Sequence, residues 1–314
     1  MLRYPFIDTI SPYADEIEAM TQKWLCSDYA FLPSEVRERY ARTRTGMLTA
    51  RFFPYASRER LIPLAMCSLW GLVFDDFYEH ADDATYDLLK WQIGAVIRGQ
   101  LSADQDSNKF LREMQKISQA FKTFMPYYWL NRFASSMEIY VDGMKEEAYY
   151  KRVMKFPTLE TYMSIRWRSV DVLQMIDGLE VATEMPLPDY LRHHPAIEEL
   201  AYYTCRIVAS CNDYFSVNKE TGRDVMNLVL IMENEKVLSR SNALIEAVKI
   251  HDSDLSKYVE LEKSVPDFGE YNLAVKTFLD YNNLMIAGHW RWYIVDTLRY
   301  RPNGGPDRNA FNGL

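Results

Sequence analysis

One pattern governs what this chain can fold into. Apolar residues recur at three- and four-residue spacing through 14–25, 34–52, 57–80, 106–124, 127–154, 196–219, 224–251 and 267–299. That is the period of an α-helix with one buried face. Strict alternation over strand-length runs is scarce, so a sheet is not expected as the main layer. Pro12, Pro33, Pro54, Pro126, Pro157, Pro186, Pro188, Pro195 and Pro266 stand where such helices should start or stop. Pro63 falls near the start of the 57–80 helix, where a first turn tolerates it. Ser34 and Ser57 precede charged turns and read as N-caps. There is no internal repeat, no low-complexity segment and no linker rich in Gly, Ser or Pro. The expectation is one all-α domain over 1–314, a bundle of about ten to twelve helices. Only RPNGGPDRNAFNGL (301–314) reads as a flexible tail.

Composition excludes several function classes. Hydrophobic residues make up 48% and charged residues 25%, the balance of a folded globular protein. Lys and Arg number 36 against 44 Asp and Glu, a net charge of -8, which argues against a nucleic-acid partner. Twelve glycines are few for a Gly-rich nucleotide-binding architecture. The four cysteines have no CxxC spacing and the five histidines no HExxH spacing. Asp8, Asp15 and Glu16 lie where a signal peptide would be apolar. The longest apolar run, LIPLAMCSLWGLVF (61–74), is short of the roughly 18 residues of a membrane helix. A cytoplasmic protein without a transmembrane segment is expected. Aromatic residues reach 14%, enough to line a pocket as well as a core.

Two polar clusters interrupt the apolar pattern. The first is FDDFYEHADD (74–83). At about 100° per residue, Asp75, Glu79 and Asp82 fall on one helical face, with Asp76 and Asp83 at its edge. Stacked like charges destabilise an isolated helix. Such a run is either a solvated face or a site whose carboxylates take a hard cation such as Mg2+. The second is NDYFSVNKE (212–220), where Asn212, Ser216 and Glu220 repeat at i, i+4 and i+8 with Lys219 beside them. An amide oxygen, a hydroxyl and a carboxylate on one stripe form an oxygen site for a cation.

These residues resemble the motifs of the class I terpene synthases of bacterial and fungal type. Asp75, Asp76 and Glu79 match the family's D-D-x-x-D/E motif, and Asn212, Ser216 and Glu220 its N-x-x-x-S-x-x-x-E triad. GRDVMNLVLIMENEKVLSRSNALIEAV (222–248) is similar to the family's continuation after the triad. The resemblance extends over roughly residues 50–300. It implies a diphosphate-sensing arginine upstream of the triad, where Arg166 stands; the neighbouring Arg168 reads as a surface residue. The family often has glycine just after that arginine, at a helix break, and this chain has Ser169, Val170 and Asp171 instead. A C-terminal Arg-Tyr pair is matched by Arg299 and Tyr300.

The resemblance implies an enzyme that ionises an allylic prenyl diphosphate and cyclises the carbocation. Its metal ligands would be the six motif residues, holding roughly three Mg2+ ions together with the diphosphate. Arg166, Lys219, Arg299 and Tyr300 would contact the diphosphate. Trp292 and Tyr293, then Trp290 and Phe215, would line the pocket by family position, and ring faces stabilise cations. A homodimer is an allowed assembly.

Ser68, Gly71 and Leu72 precede Asp75 on its helix, and Cys205, Val208 and Ala209 precede Asn212. The family often has phenylalanine at the positions of Gly71 and Leu72. Small walls leave room, so geranylgeranyl diphosphate and a diterpene product are narrowly expected over farnesyl diphosphate and a sesquiterpene. A prenyl diphosphate synthase would carry a second aspartate-rich motif after residue 200, and a protonation-initiated cyclase a D-x-D-D sequence; neither is present. A non-catalytic helical binding protein would leave both clusters as solvated faces.

Overall fold

A computed structural model describes residues 2–104 and 106–300. The described residues form helices and loops, with no strand among them. In chain order the helices are α1 (Ala14–Ser27), α2 (Ser34–Thr43), α3 (Thr45–Phe52), α4 (Arg58–Tyr78), α5 (Asp83–Ile97), α6 (Lys109–Phe121) and α7 (Tyr127–Val153). Then follow α8 (Leu159–Ser169), α9 (Leu173–Thr183), α10 (Asp189–Arg192), α11 (Pro195–Glu220), α12 (Leu228–Lys236), α13 (Arg240–Lys263) and α14 (Asn272–Val295).

The all-α bundle is as the periodicity implies, but several joints differ. The span 34–52 breaks at Arg44 (φ 57°), and 224–251 breaks at Val237 (φ 51°). The 57–80 helix stops at Tyr78, and Asp82 caps α5 by accepting from Thr85 N at 2.8 Å. Asp82 and Asp83 therefore do not continue the face of Asp75: a carboxylate that can cap a new helix ends the old one. Helices α5, α8 and α9 fall outside the periodic runs of the sequence. These joints bring the count among the described residues to fourteen α-helices, of which α10 is a single turn, and one 3-10 turn at Gly269–Tyr271. Ser34 and Ser57 make no side-chain cap bond, whereas Asn108, Thr158, Asn227 and Ser239 do. The tail 301–314 lies outside the described residues.

Helix α4 is the central pillar. It is apolar nearly all round, as a helix packed on every side must be. By length and composition it could cross a membrane, yet 61% of its most apolar window is buried within the protein. Trp70 and Phe74 stack at 4.3 Å, and Trp70 Nε1 donates to Phe110 O at 2.9 Å. Trp70 thus faces α6, away from the cavity. Truncating a residue so placed costs about 3–5 kcal/mol. One apolar core runs from Ile17 to Ile286 around this pillar. The C-terminal portions of α4, α7, α8, α11 and α14, with residues of α3 and α9, line a common cavity.

Candidate active site

The cavity has a volume of about 170 Å³ and gathers most of the sequence-predicted site residues. Asp75, Asp76, Glu79, Arg166, Asn212, Lys219, Glu220, Arg299 and Tyr300 line it, as do Ser68, Gly71, Leu72, Trp292 and Tyr293. Three predicted residues are not on its wall. Ser216 is fully buried behind it. Phe215 stacks on Tyr293 at 4.6 Å, and Trp290 packs against Tyr4 at 5.7 Å. The helical phase of α11 and α14 turns those two rings into a separate aromatic cluster with Trp292 and Tyr293.

At the end of α4 the carboxylates sit at the negative pole of the helix dipole, which disfavours them unless cations compensate. Arg299 Nη2 donates to both oxygens of Asp76, at 2.9 and 2.7 Å, and Tyr40 adds its hydroxyl at 2.8 Å. Burial pushes Asp76 up, but Arg299 and Lys219 outweigh it and hold the carboxyl below the usual range. Asp75 has no arginine partner and accepts from the Tyr140 hydroxyl at 3.4 Å. Burial raises it to about 7, with Lys151 opposing and Asp76, Glu147 and Glu79 adding to the rise.

Lys151 is a residue that motif reading missed. Its ammonium lies 3.3 Å from Glu79, 3.1 Å from Glu147 and 3.6 Å from Asp224. Burial disfavours the charge, yet Asp224, Glu147 and Glu79 hold its pKa well above the ordinary value. The signal available in the sequence was only Glu147 and Lys151 at i, i+4, a spacing that usually marks an exposed pair. Close packing sets the arrangement: a Cβ on Gly143 would lie 2.7 Å from Ser169 N, so only glycine lets α8 approach α7 this closely.

Arg166 takes its place through that approach. It donates to Glu147 at 3.2 Å, to Asn212 Oδ1 at 3.0 Å and to Asp213 at 3.1 Å. Burial opposes its charge, but Asp213 and Glu147 keep it protonated. Arg168 points outward and forks onto Glu146 at 2.8 and 2.9 Å.

The α11 stripe is fixed by amides. Asn212 Nδ2 donates to the Tyr293 hydroxyl at 2.6 Å. Asn227 Nδ2 donates to Ser216 Oγ at 3.2 Å, to Glu220 Oε2 at 2.8 Å and to Asp213 O at 3.0 Å. Its Oδ1 caps α12 by accepting from Val229 N at 2.9 Å. One buried amide thus ties the triad to the next helix. Burial and Asp224 push Glu220 upward.

Between α8 and α9 the helix breaks without a glycine. Asp171 adopts φ 60°, a conformation Asp tolerates better than most residues. Its carboxylate lies over Gly71, so that a Cβ there would collide with it. This corrects the reading of Gly71 as room for a longer substrate: Asp171 fills the space. Cys205 and Ala209 are off the wall, and of the three only Val208 faces the cavity. The remaining wall includes Leu48, Phe52, Met175 and His289.

No three acidic, histidine or cysteine groups among the described residues form a ready-made metal cage. The donor set nonetheless suits Mg2+, which keeps several waters and takes only one or two carboxylates plus substrate phosphates. The upward shifts of Asp75 and Glu220 mark two places where positive charge is in deficit.

A helical bundle that directs oxygen ligands and arginines into one apolar-walled cavity has the layout of the class I terpene synthases. The family profile "Terpene synthase family 2, C-terminal metal binding" matches residues 66–257, more than half of the chain, and the chain belongs to that family. It is 27% identical over 96% of its length to a (+)-T-muurolol synthase of Roseiflexus castenholzii, covering 93% of that protein. It is 27% identical over 92% of its length to a (+)-eremophilene synthase of Sorangium cellulosum, covering 89% of that protein. A solved linalool/nerolidol synthase from Streptomyces clavuligerus superposes with a TM-score of 0.84 at 15% identity, over 93% of this chain and all of that one (100%). The protein is a terpene synthase, a lyase of the metal-binding, all-α kind.

Proposed function

We propose that the protein is an Mg2+-dependent sesquiterpene cyclase acting on farnesyl diphosphate, and that the whole chain works as one catalytic domain. The observation that carries the catalytic part is the convergence of the α4 and α11 clusters with Arg166 and Arg299 on one cavity. Two observations favour the shorter substrate over geranylgeranyl diphosphate. Relatives from Roseiflexus castenholzii and Streptosporangium roseum are named for cyclising (2E,6E)-farnesyl diphosphate. The volume that Gly71 leaves is taken by Asp171.

Asp75, Asp76 and Glu79 would hold metal on one side, and Asn212, Ser216 and Glu220 on the other. When bound, Mg2+ neutralises the negative charge that builds on diphosphate as the carbon–oxygen bond breaks. Arg166, Lys219, Arg299 and the Tyr300 hydroxyl would donate to the diphosphate oxygens. Arg166 and Arg299 are kept charged by their carboxylate partners, so these donors meet the leaving group already ionised. Phe52, Leu72, Met175, Val208 and Trp292 would exclude water from the carbocation and fold its chain.

The test is incubation of the purified protein with Mg2+ and, separately, geranyl, farnesyl, geranylgeranyl and geranylfarnesyl diphosphate, with gas chromatography of the products. A cyclic product chiefly from farnesyl diphosphate is expected. A cyclic product from geranylgeranyl diphosphate alone would restore the diterpene reading, and elongated diphosphates formed in parallel samples that also contain isopentenyl diphosphate would indicate a chain-lengthening synthase.

A further inference from the structure

His289 is the one histidine among the cavity-lining residues, and it is 5% exposed. It stands on α14 one turn before Tyr293. Its ring lies in an aromatic corner, with Tyr293 edge-on at 4.9 Å, Phe52 at 5.9 Å and Trp292 at 6.3 Å. Nδ1 is buried without a hydrogen-bond partner. A buried polar nitrogen left unpaired costs on the order of 1–3 kcal/mol, so structural histidines are normally paired. His251 shows the ordinary pattern in the same protein: it is equally buried, and its two nitrogens contact Asp252 at 2.9 Å and Tyr4 at 2.7 Å. His289 carries the cost of an unpaired nitrogen at the wall of a reaction cavity.

We propose that His289 is the proton acceptor that ends the carbocation cascade, an inference that rests on the cyclase reading above. An imidazole nitrogen lone pair takes a proton from a carbon next to the cationic centre. The electrons of that C–H bond become the π bond of an olefin, and the positive charge passes to the imidazolium. The proton then leaves to the diphosphate that the ionisation step released. Burial pushes the His289 pKa down to about 3, so the ring enters each turnover as the free base. Its weak basicity does not prevent the transfer, because a carbocation flanked by C–H bonds is a far stronger acid than an imidazolium. The same weakness returns the proton to diphosphate and resets the ring.

The hydroxyls on the wall are engaged. The Ser68 hydroxyl donates to Leu64 O at 3.0 Å, and the Tyr293 hydroxyl is bound by Asn212 and contacts Tyr300 at 3.3 Å. Asp171 is the competitor, since its Oδ1 is also buried and unpaired. Burial beside Asp75 favours its neutral acid, which is a poor acceptor.

The experiment uses the full chain with Mg2+ and whichever prenyl diphosphate the wild type consumes. Released diphosphate and hydrocarbon products are measured in the same sample for wild type, His289→Phe, His289→Gln and Asp171→Asn. Phenylalanine keeps a flat aromatic ring but no basic nitrogen; glutamine is the second variant should that slightly larger ring prevent folding, judged by circular dichroism. The wild type should yield an olefin. In the His289 variants the share of released diphosphate that ends in that olefin should fall at least about tenfold, a floor set below the usual contribution of a positioned acid–base group. Alcohols or olefins formed by loss of another proton should replace it. With substrate deuterated at the carbon deprotonated by the wild type, the variants' products should retain the label. An unchanged product ratio in a folded His289 variant overturns the proposal. So does an alcohol as the sole wild-type product, or loss of the olefin in Asp171→Asn alone. Absence of diphosphate release by the wild type from every prenyl diphosphate would instead overturn the cyclase reading.

Discussion

The two oxygen clusters face the same cavity but are held in opposite ways. On α4, Arg299 Nη2 meets both oxygens of Asp76 and Lys151 meets Glu79, so these two carboxylates are compensated by protein cations and Asp75 alone is left in deficit. On α11, Ser216 and Glu220 are tied by the neutral amide of Asn227, and Asn212 is tied to Arg166 and Tyr293. One cluster is balanced by charge and the other is positioned by hydrogen bonds. Charge balance can be handed from a side chain to an incoming metal, whereas hydrogen-bonded positioning is already in place before anything binds. The α4 end is then the part expected to rearrange on loading, and the α11 end the part expected to stay put.

The largest effect should come from removing the cation that bridges the α4 end to its neighbours. Lys151→Met leaves Glu79, Glu147 and Asp224 facing one another. Breaking a buried ion pair by deleting one partner costs about 3–5 kcal/mol. Thermal unfolding of the metal-free variant should show that loss, and Mg2+ with inorganic diphosphate should recover part of it. A variant as stable as the wild type, or one that the ligands do not rescue, breaks the idea that α4 is balanced by charge. Next come the ligands themselves. Asp75→Asn and Asn212→Ala should each lower turnover by about 100- to 1000-fold, the usual effect of removing one preorganised charge-stabilising group. Circular dichroism should stay helical, and full activity in either variant would remove that cluster from the site.

Much of this comparison was legible in the sequence, and its gaps have a physical cause. Residues that act through local spacing were found: Asp75 and Asp76 by their place at the end of an apolar helix, and Asn212, Ser216 and Glu220 by their stripe. Arg166 and Arg299 were found only through family position. The residues that secure the clusters were missed because their partners are remote in sequence. Lys151 reaches Glu79 across 72 positions, and its one local mark, Glu147 at i−4, is that of an ordinary surface pair. Asn227 read as part of one helix spanning 224–251, whereas it caps α12 and grips α11. Asp171 and His289 carry no motif at all; their significance is that they are buried on a cavity wall, which only tertiary structure reveals. The reading of Gly71 as open space went astray for the same reason: the neighbour that fills the space over Gly71 lies a hundred residues away, at Asp171.

Asn227→Ala tests the α11 side with a smaller effect. It deletes an N-cap and three buried donor contacts. Loss of a cap costs about 0.5–2 kcal/mol, and acceptors left unpaired raise that. The melting temperature should fall modestly, with little dependence on salt because no charge is removed. A strong salt dependence would mean that the α11 stripe is also balanced by charge.

The smallest effect separates the two ends by pH. Burial raises Asp75 to about 7 in the folded protein, against about 3.9 for an unfolded aspartate. Between those values the folded state holds a proton that the unfolded state has lost. The contribution of Asp75 to stability is therefore fully present below about pH 3.9 and is lost as pH rises to about 7. Asparagine at that position does not titrate. In the metal-free protein, the melting temperature of wild type minus that of Asp75→Asn should fall across this window and level off above it. The same difference for Asn212→Ala should be flat, since no carboxylate is removed from the α11 stripe. Added Mg2+ and inorganic diphosphate should invert the wild-type trend, because a carboxylate must lose its proton before it can ligate metal. A flat difference for Asp75→Asn would mean that Asp75 is ionised without metal, and that the α4 end, like Asp76 beside Arg299, already has all the positive charge it needs.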